Sequence, residues 1–102
     1  MLASFSVAPI GVGEALAELV AGMMTLVEAS GLPYKLGAMQ TTVEGDEGEV
    51  MDLIMRCHRH MLEKAPRVVT HIALDDRKGR QGRLEGKVKD VERVLGRTLS
   101  HE

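Results

Sequence analysis

The chain has 102 residues, the usual size of one domain, with 44 % hydrophobic and 27 % charged residues in an ordinary globular balance. Its formal net charge of −2 carries no footprint of nucleic-acid or anionic-membrane binding. The single Cys57 excludes an intrachain disulfide and fits a reducing compartment, and no segment approaches the roughly 20 apolar residues of a membrane helix.

The first six residues lack a basic n-region and the chain breaks soon afterwards at Pro9 and Gly11, so a signal peptide is not expected and a cytoplasmic protein is. Leu2 to Ala8 alternates, with Ala3, Phe5 and Val7 on one face and Ser4 and Ser6 on the other, the period of a strand. Pro9 to Gly13 reads as the loop that ends it. Glu14 to Ser30 is the first helix, with an apolar stripe of Leu16, Leu19, Val20, Met23 and Val27, and Gly31 with Pro33 as its stop.

Tyr34 to Met39 and Thr41 to Glu44 read as a hairpin of two strands that turns near Gln40. Asp46 opens a second helix as N-cap, with Glu49 placed for a capping box. Its expected buried stripe is Val50, Leu53, Ile54, Cys57, Met61 and Leu62, and Pro66 closes it. Arg67 to Asp75 is the clearest strand, with Val68, Thr70, Ile72 and Leu74 on one face and Val69, His71 and Ala73 on the other. A polar loop over residues 75–83 follows, then a short helix from Glu85 to Leu95 on Val88, Val91 and Leu95, stopped by Gly96.

The order strand, helix, strand, strand, helix, strand, helix predicts one α+β domain over residues 1–102, a ferredoxin-like βαββαβ sandwich with an antiparallel four-stranded sheet and an extra C-terminal helix. Two helices cover only one face of such a sheet. The other face, with Ser4, Ser6, Val69, His71 and Ala73, is too apolar to stand entirely in water, so a C₂ pairing of sheets with another subunit is expected. The thin aromatic complement, Phe5 and Tyr34 alone, points the same way.

Candidate chemistry is sparse. His58 and His60 lie about 200° apart around a helix, and Cys57 with His60 makes two ligands where a metal site needs three or four, so no metal site is expected. Cys57 belongs to the apolar stripe and reads as an inert core thiol. The basic run Arg77, Lys78, Arg80 and Arg83, with Gly79 and Gly82, has neither the Walker pattern nor aromatic interleaving and reads as a solvated loop. His71 stands mid-strand on the open face. It is either an interface histidine or a hydrogen-bonding group in a shared pocket. The segment from Met39 to Gly45 holds the densest polar chemistry near the sheet.

Four blocks taken in order carry a resemblance. They are Ser6-Val7-Ala8-Pro9-Ile10-Gly11, then Gly31 through Gly45, then Arg67-Val68-Val69-Thr70 with Asp75-Asp76-Arg77, then Gly86-Lys87-Val88. Together they resemble the small thiamine-binding proteins related to YkoF, long an uncharacterised family. The resemblance implies a ferredoxin-like fold and sheet-to-sheet homodimers, often homotetramers. It also implies binding of thiamine or its hydroxymethylpyrimidine portion, without catalysis and without a cofactor. On that reading Ser6, Thr41 and Thr42 complement the aminopyrimidine, Glu44 or Asp75 opposes the thiazolium charge, Met39 gives a soft contact to a flat ring, and Tyr34 and His71 complete the ligand-binding set. Two other readings stand beside it. One is an oligomeric regulatory or interaction protein. The other is a small acid–base enzyme that pairs His71 with Glu44 or Asp75.

Overall fold

The structure is a computed structural model that describes residues 1–79 and 82–100. Its elements are β1 (Leu2–Ile10), α1 (Leu16–Ala29), β2 (Tyr34–Leu36), β3 (Thr41–Glu44), α2 (Glu47–Leu62), β4 (Arg67–Asp75) and α3 (Arg83–Leu95). The four strands form one antiparallel sheet in the order β2-β3-β1-β4. This is the ferredoxin-like βαββαβ arrangement with an added C-terminal helix, as the alternation of periods predicts.

Register assigns the faces. Ala3, Phe5 and Val7 of β1 stand opposite Leu74, Ile72 and Thr70 of β4, while Ala3 and Phe5 also face Val43 and Thr41 of β3. These side chains lie on the helix side, where Ala3, Phe5, Val7 and Val43 join Met23 and Val27 of α1 and Val50, Leu53, Ile54, Cys57 and Met61 of α2 in one core. Burying about 25 cal/mol for each Å² of apolar surface is the main force closing this layer. The spacing of the α2 residues is that of a single helical stripe, and it buries all its predicted members except Leu62, which stands about 100° around the helix from the buried Met61 and is exposed. In α1, Leu16 is likewise exposed.

Several boundaries differ from the sequence expectation. β1 runs through Pro9 to Ile10 and does not stop at Ala8. The reason lies in the ladder. Met1 and Gly45 exchange two backbone hydrogen bonds, at 2.9 and 3.1 Å, so the odd residues of β1 point their backbone groups toward β3. The last β1–β3 pair is Phe5 with Thr41. Pro9 therefore directs its missing donor to a side with no strand, the position a sheet tolerates. β2 is only three residues long, because the chain turns at residues 37–40, where the Gly37 N–H donates to the Gln40 carbonyl. Asp46 is the N-cap of α2 with extended backbone (φ −69°, ψ 151°), but its side chain makes no capping hydrogen bond, so the capping box is not formed.

The second sheet face carries Ser4, Ser6, Val69, His71 and Ala73, as expected, and Thr42 joins them beside Ser4. It is not bare along its whole length. α3 crosses one end, where Leu2, Glu44, Lys35 and Asp75 lie, through a Lys35–Glu85 ion pair at 3.5 Å and a Lys87–Asp75 contact.

Candidate functional site: a hollow beside the first strand

Where β3 ends, β1 continues. Ser6 to Ile10 keep β4 on one side and have no β3 residue opposite on the other. The space left by the missing strand is a hollow of about 260 Å³. Its floor is β1 from Phe5 to Ala8, one wall is Leu16, Val20 and Met23 of α1, and the other is the turn from Leu36 to Thr41. All the lining side chains are uncharged. Met39 stands at the rim, 87 % exposed. Thr41 lies at the base, buried, with its hydroxyl 3.8 Å from the Met24 sulfur. Gln40 flanks the opening, and its Oε1 accepts from the Ser4 hydroxyl at 3.2 Å.

Three of the predicted residues, Ser6, Met39 and Thr41, line this hollow. The others do not. Tyr34 sits on the helix side of β2, half-buried against the core. Thr42 and His71 lie on the open face, Thr42 beside Ser4 and the exposed His71 beside Ser6. Glu44 and Asp75 flank Leu2, four residues along β1 from Ser6, which is about 13 Å at strand rise.

That separation decides two of the expectations. His71 and Asp75 are four residues apart on one strand, and Glu44 lies at the same distant end of the sheet, so His71 pairs with neither carboxylate within the chain. Glu44 is also engaged. Its carboxylate accepts the backbone N–H groups of Arg83 at 2.9 Å and Leu84 at 3.4 Å, the donors that the first turn of α3 leaves unpaired. Asp75 is held by Lys87. Around them Met1, Leu2, Arg77, Arg83 and Lys87 enclose a smaller space of about 120 Å³. A further hollow of about 260 Å³ opens on the other side of Glu44, against Leu32, Pro33 and Asp46.

The remaining candidates take structural places. The His58 Nδ1 lies 2.7 Å from the Thr70 hydroxyl, tying α2 to β4. The His60 ring turns toward α1, where a Cβ on Gly22 would stand 3.3 Å from its Nε2, so glycine there admits the ring. Among the described residues no three His, Cys, Asp or Glu side chains gather as metal ligands, and no helix is long and apolar enough to cross a membrane. Cys57 is fully buried, and loss of hydration pushes its thiol up to about 11, against a smaller opposing pull from Arg56. Within the basic run, Arg83 pairs with Asp90 at 3.0 Å, and Arg80 lies outside the described residues.

Sequence reading named the Met39–Gly45 segment but did not single out Gln40, Leu16 or Leu36 as site residues. No sequence signal marked them, because the half exposure of Leu16 and Leu36 follows from the fold.

The geometry is that of a ferredoxin-like sandwich with a small-molecule-sized hollow at an unfinished sheet edge. The profile of the family described as thiamine-binding protein matches residues 3–92, and the chain belongs to that family. It is 42 % identical over 96 residues to the UPF0045 protein Mb1933 of Mycobacterium bovis, which covers 93 % of this chain and 94 % of the relative. The solved structure of hypothetical protein MJ1052 from Methanocaldococcus jannaschii superposes with a TM-score of 0.81 at 28 % identity, covering 88 % of this chain and 93 % of the other. A Thermotoga maritima protein named as a candidate thiamine biosynthesis/salvage protein superposes with a TM-score of 0.78, also at 28 % identity, covering 88 % of this chain and 96 % of the other.

Proposed function

We propose that this protein binds the hydroxymethylpyrimidine portion of thiamine in the hollow beside β1, without catalysis, as part of a homodimer or homotetramer built through the open sheet face. Membership in the thiamine-binding family over residues 3–92 carries the ligand class. The uncharged lining of the hollow favours the neutral ring over the thiazolium, since burying a fixed cation without a partner is costly. Ser6 supplies a hydroxyl from the open face and Thr41 one from the helix side, Met39 gives a polarizable lid, and Leu16, Val20 and Met23 an apolar wall for a flat ring. Thr42 and His71 belong to the face that meets another subunit, with the pocket opening beside that interface. Glu44 and Asp75 act on α3, and Tyr34 supports β2 and β3 from the core side.

Isothermal titration of the purified protein with hydroxymethylpyrimidine, thiamine and the thiazole alcohol tests this reading. Saturable binding of the first two and none of the third is the expected pattern. Binding of the thiazole alcohol alone would place recognition on the other half of the molecule and overturn the assignment.

A further inference from the structure

The hollow owes its shape to a strand that stops early, and the backbone it leaves uncovered has a chemistry of its own. Met1 pairs with Gly45 through two mutual hydrogen bonds, and the same register carries Ala3 to Val43 and Phe5 to Thr41. Every second residue of β1 thus turns both its N–H and its C=O toward β3. Val7 is the next in that series. No β3 residue stands opposite it, and none of the turn and loop hydrogen bonds among the described residues ends on it. Val7 lines the hollow between apolar walls. One further step along, Pro9 offers a carbonyl and no donor.

An edge of one donor and one acceptor, followed by proline, is too short for an added strand. It matches a planar group that presents an acceptor beside a donor. The amidine edge of an aminopyrimidine, a ring nitrogen next to an exocyclic amine, is such a group. We propose that the Val7 N–H donates to the ring nitrogen and the Val7 C=O accepts from the amine, so that the ligand occupies the ladder position β3 vacates. This inference rests on the ligand reading above and adds to it that recognition is by main chain, which accounts for a pocket whose side chains carry no charge. The Gln40 side chain, tied to Ser4 at the rim, then guards the open end of the ring.

Amide hydrogen exchange, followed by ¹⁵N NMR on the full chain with and without saturating hydroxymethylpyrimidine, tests it. In the free protein the Val7 amide exchanges faster than those of Ala3 and Phe5, and the ligand slows it about tenfold or more. A pyrimidine analogue lacking the exocyclic amine binds about tenfold more weakly. Three results overturn the inference and leave the ligand reading standing: Val7 already as protected as Phe5 in the free protein, saturable calorimetric binding with Val7 exchange unchanged, or equal affinity for the analogue. Absence of any saturable binding to folded protein overturns both.

Discussion

Cys57 illustrates how a single side chain reports the integrity of the layer beneath the sheet. Its thiol is fully buried on the α2 stripe, and burial raises its titration from 9.0 to about 11. The folded state therefore keeps a proton that the unfolded chain releases first. Between those limits the unfolded state binds fewer protons, so stability is complete below pH 9 and falls by about 1.4 kcal/mol per pH unit as pH rises through the window. Cys57→Ala has no such proton to hold. Thermal unfolding of both forms from pH 8 to 10.5 is expected to show the wild-type advantage shrinking with pH, and a constant difference would show that the thiol is not desolvated. Glu44 makes the complementary point. Its residue type and its place near the hairpin suggested a counter-charge for a ligand, yet its carboxylate already receives two backbone donors from α3. Sequence reveals that a carboxylate is present, whereas its partner is set by a helix that arrives thirty-nine residues later.

At the scale of elements, strands and core helices were legible because each buries a face. β4 appears with the predicted bounds, and the α2 stripe is buried at five of its six predicted positions. α3 was legible as a helix but not in its location, because amphipathic period says which residues share a side and not which surface receives them. It buries no residue fully, and Val91, Val94 and Leu95 stay exposed, so few contacts hold it. Glu44 is the anchor of its first turn. Glu44→Ala is expected to cost about 1 kcal/mol at that helix end and to reduce far-UV helicity toward the loss of α3, with the sheet signal kept. Unchanged helicity would assign the docking to the Lys35–Glu85 and Lys87–Asp75 pairs alone.

At the scale of the molecule, the two faces of the sheet divide the account. The helix-covered face forms the core, and the other presents Ser4, Ser6, Thr42, Val69, His71 and Ala73 with α3 across one end only. If that face joins copies of the chain, light scattering gives a dimer or tetramer, and Ala73→Glu combined with His71→Glu drives it toward monomer by placing like charges across a twofold axis. A wild-type monomer at the same concentration would remove the interface. The hollow itself was not readable from periodicity. Ser6, Met39 and Thr41 were named for their chemistry, but their meeting depends on β3 ending opposite Phe5 while β1 continues, a difference in strand length that pattern alone leaves open. The most direct test of the central claim closes that space. Leu16 is half exposed at the start of α1 and lines the hollow, so Leu16→Arg fills it without disturbing the buried core. Calorimetric titration with hydroxymethylpyrimidine is predicted to show saturable binding for the wild type and at least about a tenfold loss for a folded Leu16→Arg protein. Equal affinity in the two proteins would contradict the placement of the ligand beside β1.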